Sequence, residues 1–382
     1  MPKKNTPTKP PPLASTHPNP TSKSPPSGTR QLLNHHQPRP RARLQSPAMS
    51  DTSAIEWCDA TWNWVMGCTK VSPACVNCYA EVSTPSRTMG IEWGDQAERR
   101  VARNATFNAP LKWNKKPWVC DRCGWFTNDI DNAHVCIGTG PGGFHRRRVF
   151  SLSLGDWLDN KIPVSVLARA LNIVRLCPNL NFLLLTKRPQ LFFSRMSNVA
   201  IYRDIAGKPV IDVDWVNAWA CRNEPPPNVW IGTSVEDKQR ADERIPELLK
   251  IPAKVRFLSC EPLLGPIRLP LTKPKPLYDA EYGDQHEYAE VPNGIDWVIV
   301  GGESGPKARP CNIGWVRDIK NQCKAASVPV FVKQLGSIPI IFGVDGPDGC
   351  DKLMVCRVSH TKCGNSSEWP EDLRAQEFPN AA

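Results

Sequence analysis

Residues 148 to 189 read RVFSLSLGDWLDNKIPVSVLARALNIVRLCPNLNFLLLTKRP. An apolar, β-branched run opens the stretch and breaks at Gly155-Asp156; a second, NFLLLT, closes it and breaks at Lys187-Arg188-Pro189. Between them, residues 164 to 177 carry apolar side chains at helical spacing, so the unit reads as strand, helix, strand with the two strands parallel. Both strands are apolar on successive residues, as a sheet covered on both faces requires. The same pattern recurs in NVWIGTSVED, VRFLSCEPLLG, DWVIVGGESG and VPVFVKQLG, with a second helical segment at WVRDIKNQCKAA, residues 315 to 326. One more strand near ATWNWVMGC makes about seven β-α steps. The expected fold is α/β, a complete or partial TIM-like (β/α) barrel, with an open doubly wound sheet as the alternative.

In such folds chemistry collects at the carboxyl ends of the strands. Those ends carry Ser153 and Asp156, Thr186-Lys187-Arg188, Ser234 and Glu236, Ser259-Cys260-Glu261, Gly301-Gly302-Glu303-Ser304, and Lys333-Gln334. A polar pocket on that rim follows. Lys187, Glu236, Glu261, Glu303 and Lys333 are the catalytic candidates, and nothing in the pattern ranks them.

The chain has 382 residues and a net charge of +11, but residues 1 to 48 hold eight Lys and Arg with no Asp or Glu. The remainder carries 40 basic against 37 acidic side chains, so it is close to neutral. That first stretch also holds 12 of the 39 prolines and few apolar residues, which predicts a disordered basic tail. A folded barrel domain is expected over 49–382, opening near Met49. The tail has no apolar core of the kind an export signal needs, and no apolar run approaches a membrane span. A cytoplasmic protein without membrane association is expected. Its 15 cysteines then point to metal ligation rather than to disulfides.

Three of those cysteines, Cys68, Cys75 and Cys78, lie in GCTKVSPACVNCYAE, directly after the first strand. Structural zinc closes its tetrahedron with four ligands, and no histidine lies near this loop. Three thiolates suit a [4Fe–4S] cluster with one iron left open to a further ligand.

These residues also carry a resemblance. IEWCDATWNWVMGCTKVSPACVNCYAE, LLLTKRP, NVWIGTSVED, ADERIPELL, VRFLSCEPLLGPI, DWVIVGGESGPKARP and VFVKQLG together resemble the bacteriophage-associated, three-cysteine radical-SAM-like family of unknown function, over about Thr52 to Phe378. The resemblance implies a radical S-adenosylmethionine (SAM) barrel in which Cys68, Cys75 and Cys78 hold the cluster and the open iron chelates SAM. It further implies a reductant protein as partner and cleavage of SAM to a 5′-deoxyadenosyl radical. Two features depart from better-known radical-SAM enzymes. The spacing is C-x6-C-x2-C rather than C-x3-C-x2-C, and Gly301-Gly302-Glu303 follows a late strand rather than the second. The SAM-binding role therefore goes to Ser153 and Asp156, not to Glu303.

An insert over 115–145 contains Cys120-x2-Cys123 and His134-x-Cys136, a set that would satisfy zinc in a ribbon-like element. Beyond it, His145-Arg146-Arg147-Arg148 is a candidate contact for nucleic acid. Trp113, Trp118 and Trp125 read as local core, as do the single cysteines Cys177, Cys221, Cys260, Cys311 and Cys323. Cys350, Cys356 and Cys363 fall in a tail without a visible strand or helix pattern. The leading expectation is a radical-SAM enzyme of unknown substrate, with a nucleotide or nucleic acid as the candidate class. The competing one is a non-catalytic, zinc-stabilised nucleic-acid-binding phage protein.

Overall fold

The computed structural model describes residues 52–130, 143–271, 294–345, 351–355 and 361–379. The basic tail, His134, Cys136, Cys350 and Cys356 lie outside the described residues.

Seven strands form one parallel sheet: β1 (Ala60–Thr61), β2 (Arg148–Ser151), β3 (Asn181–Thr186), β4 (Val229–Ser234), β5 (Val255–Cys260), β6 (Trp297–Gly301) and β7 (Val330–Gln334). Their spatial order is their chain order. A doubly wound sheet reverses direction once from its middle, whereas here each strand joins on the same side as the last, which is the order of a (β/α) barrel. Strands β1 and β7 are the two ends of that order and do not pair, so the barrel is partial rather than complete.

Helices fill the crossovers: α1 (Val164–Leu176) follows β2, α2 (Phe192–Ile201) and α3 (Val213–Ala220) follow β3, α4 (Lys238–Leu249) follows β4, and α5 (Ile313–Ala326) follows β6. Capping sets several of their starts. Asp237 accepts from the Arg240 amide at the head of α4, and Asn312 accepts from the Gly314 amide at the head of α5, two residues earlier than the apolar spacing alone indicated. No helix among the described residues is long and apolar enough to cross a membrane.

Strand side chains alternate between two cores. Phe182, Leu184, Val229, Ile231, Leu258, Val298, Val300, Val330 and Val332 pack on the helices, against Leu171, Val174, Ile245, Leu248, Val316 and Ile319. The opposite face carries Phe150, Leu183, Trp230, Phe257, Trp297, Ile299 and Phe331, with Trp57 added from the chain before β1. Trp297 is its centre: its ring lies 5.5 to 6.3 Å from those of Trp57, Trp230, Phe257, Phe331 and Phe378. Further along the same face, Leu185, Ser234, Ser259 and Lys333 line a cavity instead. The inner face thus has an aromatic floor and a polar mouth.

Three smaller sheets accompany the parallel one among the described residues, one of them the two-stranded pairing of Val65–Met66 with Arg100–Val101. Phe126–Thr127, Trp118–Cys120 and Phe144–Arg146 form an antiparallel three-stranded sheet in that order, within the cysteine-bearing insert. Near the C-terminus Pro339–Asp345 pairs with Asp351–Val355, so the tail read as featureless contains a hairpin.

Candidate functional site

The cavity at the carboxyl ends of the strands has a volume of about 420 Å³. Cys68, Cys75 and Cys78 all line it, together with Ser153, Asp156, Lys187, Glu261, Glu303 and Lys333. Of the expected strand-end residues, Glu236, Cys260 and Gly301 are absent from its wall.

The cysteine loop begins at Gly67, whose φ of +98° is one that L side chains rarely adopt and whose amide donates to the Leu154 carbonyl at 3.0 Å. From there it is fastened at three places, each next to one cysteine. Beside Cys68, the Arg188 guanidinium donates to the Thr69 carbonyl at 2.9 Å, and buried Arg99 donates to the Thr69 hydroxyl at 2.5 Å. Arg99 is itself paired with fully buried Asp159 at 2.9 Å. Beside Cys75, the Ala74 amide donates to Glu236 Oε1 at 3.3 Å, while Glu236 Oε2 pairs with Arg244 at 2.9 Å. Beside Cys78, the Asn77 amide group donates to Glu303 Oε2 at 3.1 Å and to the Lys307 carbonyl at 2.8 Å. Glu303 pairs with Arg309 at 2.6 Å.

These contacts reassign two candidates. Glu236 is buried outside the cavity and Glu303 has both oxygens engaged, so each serves as a clamp on the loop. Burial works to raise the Glu236 carboxyl, but Arg244, the Ser72 hydroxyl and Lys187 hold it below its ordinary value. Burial likewise opposes Glu303, whose hydrogen bonds from Arg309 and Asn77 keep it low. Both are therefore ionised at neutral pH.

Asp156 is also occupied: its carboxylate accepts from Thr186 Oγ1 at 2.7 Å, the Lys187 amide at 2.8 Å, the Leu158 amide at 3.1 Å and Arg188 Nη1 at 2.8 Å. A ligand amine would have to displace one of these donors. Ser153 is tied to Asn63, which accepts from the Ser153 amide at 2.8 Å and donates to its hydroxyl at 2.9 Å. Glu261 Oε1 lies 3.1 Å from Lys333 Nζ, and both line the cavity. A Cβ on Gly301 would lie 2.7 Å from that same oxygen, and one on Gly302 would lie 2.4 Å from the Leu335 carbonyl oxygen. Gly302 is thus required by close backbone packing, while a side chain at Gly301 would push on the Glu261 carboxylate. Lys187 lines both this cavity and a neighbouring polar one of about 430 Å³.

Burial pushes the Cys68 thiol up to about 12, with Asp156 adding to the rise and Arg188 opposing it. No three His, Cys, Asp or Glu side chains among the described residues close on one point as a single ion demands. Cys68, Cys75 and Cys78 nonetheless line one cavity, and an iron–sulfur cluster differs from a single ion in taking each thiolate on a different iron.

In the insert, Cys120 ends its strand and Cys123 follows in the turn, where Gly124 at φ +71° donates its amide to the Cys120 carbonyl at 2.9 Å. Two of the four zinc candidates are thereby brought together; His134 and Cys136 lie outside the described residues. The basic run beyond is mostly engaged inside the protein. His145 bridges Asp121 at 2.6 Å and Asp59 at 3.0 Å, Arg147 is buried over the rings of Trp113 and Phe126, and Arg148 pairs with Asp59 over Phe378. Burial opposes the ionised form of Asp59, but His145 and Arg148 take it down to about 2. Trp125, read as core, is 56% exposed, and Cys221 is also exposed. Cys177, Cys260, Cys311 and Cys323 are buried as expected, and Cys363 sits in the main core.

A family model described as "Protein of unknown function (DUF5131)" matches residues 52–365. The chain belongs to this family. The matched span of DUF5131 includes the cysteine loop, the insert and all seven strands of the sheet. No curated protein and no solved structure matches the chain.

Sequence reasoning missed the arginines and Asn77. Arg188 stood in the strand-end triplet, and Asp159 closed GDWLD, but no spacing rule pairs Asp159 with Arg99 or Glu303 with Asn77, which lie 60 and 226 residues apart.

Proposed function

We propose that this DUF5131 protein is a radical-SAM enzyme that holds a [4Fe–4S] cluster on Cys68, Cys75 and Cys78. One observation carries the proposal: three cysteines of a single loop line the carboxyl-end cavity of a partial (β/α) barrel whose strands follow in sequential order. The donor set fits the cluster, and the volume falls within the range of small-molecule sites. When bound, such a cluster supplies the electron that breaks the SAM sulfonium.

The protein's own residues hold and shield. The loop clamps fix the three thiols with respect to the strand ends, and the aromatic floor below excludes water from the inner side of the cavity. Lys187, whose charge also acts on Glu236, lines the cavity and is positioned to take the carboxylate of a bound amino acid or cofactor. Because Asp156 and Ser153 are engaged by the chain, we assign them to supporting the cavity wall. The basic run is held by internal contacts, so the proposal specifies a reaction class and leaves the substrate class to experiment.

Anaerobic purification and reconstitution test it. The expected result is a brown protein with about four irons that, with dithionite, converts SAM to 5′-deoxyadenosine, and a Cys75→Ala variant that loses both. A colourless protein carrying zinc alone would overturn the proposal and leave the binding-protein alternative. Zinc in the insert is tested in the same preparation: Cys123→Ala should lower zinc content and leave iron unchanged.

A further inference from the structure

Among the described residues, only one of the three cavity thiols is met by a guanidinium. Arg188 Nη1 and Nη2 lie 3.6 and 3.8 Å from Cys68 Sγ, within the longer reach of hydrogen bonds to sulfur. The polar neighbour of Cys75 is the Ser72 hydroxyl at 3.8 Å. Arg188 is not a flexible surface cation: its side chain is 6% exposed, Asp156 holds Nη1 at 2.8 Å, the Thr69 carbonyl holds Nη2 at 2.9 Å, and Asp159 stands 4.0 Å away. A lysine has one ammonium and could not make this set, whereas the planar fork makes all of it at once.

We infer that Arg188, oriented by Asp156, is a positioning residue that raises the reduction potential of the cluster by donating N–H···S bonds to Cys68. The inference rests on the proposed cluster. Reduction adds negative charge to an already anionic group, so a buried cation and its donors at one ligand sulfur favour the reduced form more than the oxidised form. The same donors favour the ligating thiolate over the thiol, which strengthens metal retention. Asp156, bonded on Oδ1 by the Thr186 hydroxyl and on Oδ2 by Arg188, then acts through Arg188.

The test uses the full-length, reconstituted protein and reads potential rather than turnover. In a redox titration followed by electron paramagnetic resonance, Arg188→Met should move the midpoint to a more negative value than wild type. Arg188→Lys, which keeps the charge and loses the fork, should fall between. Iron release to a chelator should speed up about tenfold or more in Arg188→Met, the scale of outer-shell losses at metal sites. If Arg188→Met does not fold, the wild type still decides the matter: resonance Raman should find an Fe–Sγ stretch that shifts in D₂O and loses that shift in Arg188→Lys. A loaded Arg188→Met protein with wild-type potential, or a wild-type spectrum insensitive to deuterium, would overturn the inference while leaving the cluster in place. A wild type that takes up no cluster would instead sink the proposed function, and this inference with it.

Discussion

The floor and the mouth of the half-barrel are built on the same strands and held by opposite means. At the floor, Trp57, Trp230, Phe257, Trp297 and Phe331 remove large apolar surfaces from water and need few directional bonds. At the mouth, a few residues further along β4 and β6, buried carboxylates are each paired with one guanidinium: Glu236 with buried Arg244 and Glu303 with half-buried Arg309. Burying such pairs costs desolvation that hydrophobic residues of similar size would avoid. Their retention here coincides with a task that apolar groups cannot do, since each pair leaves an oxygen to accept from the backbone or side chain beside a cysteine. The floor stabilises the fold, and the mouth sets the position of a loop.

The comparison breaks most visibly at Trp297. Trp297→Ala removes the ring at the centre of the floor and its Nε1 bond to the Glu377 carbonyl, 2.9 Å long. The expected loss is about 3–5 kcal/mol, read as the midpoint of denaturant unfolding. A loss below about 1 kcal/mol would show that the floor is not a close-packed core.

A smaller loss, with a different signature, is expected at the mouth. Glu236→Gln keeps an acceptor but leaves Arg244 buried without a counter-charge, at a cost of about 2–3 kcal/mol. The sign with pH follows from the Glu236 carboxyl being held below its ordinary value of 4.5. A depressed carboxyl contributes stability that is present above that value and is lost as pH falls through the folded-state value. The gap in melting temperature between wild type and Glu236→Gln should therefore be full at pH 7 and should narrow as the medium is acidified below about 4.5. Trp297→Ala should show no such narrowing. A gap that stays constant down to pH 3 would mean that the Glu236 charge is not what holds the Ala74 amide.

The two regions also differed in how far sequence could see them. The strands of the floor were legible because a short continuous apolar run is a local property, and those around Trp230, Phe257 and Phe331 declare it within five or six residues each. The three cysteines were legible for a related reason: one short loop carries them all, and following a strand puts it at the carboxyl end. The clamps were not. Carboxylates at strand ends look alike in sequence whether they face substrate or hold a loop, and only the partner decides, as Arg244, ten residues after Ser234, and Asn77, 226 residues from Glu303, decide for Glu236 and Glu303. The internal contacts of the run from His145 to Arg148 were hidden in the same way, because its acceptor Asp59 lies 86 residues from His145.

The smallest effect is expected where the mouth's bond length recurs on the surface. Arg317 on α5 meets Asp372 at 2.6 Å, the same separation as Arg309 and Glu303. Distance alone would rank the two pairs equal. Exposure separates them at the carboxylate: the Arg317 and Asp372 side chains are 41% and 44% exposed, against 32% and 5% for Arg309 and Glu303. Water and salt screen the exposed pair, which also orders two side chains that would otherwise move freely. Asp372→Asn should thus cost under about 1 kcal/mol, and the cost should shrink further on raising the salt from 50 mM to about 0.5 M as the Debye length contracts. Glu236→Gln should keep most of its effect at the higher salt, because its pair is buried. Equal salt sensitivity in the two variants would mean that the mouth is as wet as the surface, and would remove the distinction between clamp and ornament on which the assignment of Glu236 and Glu303 depends.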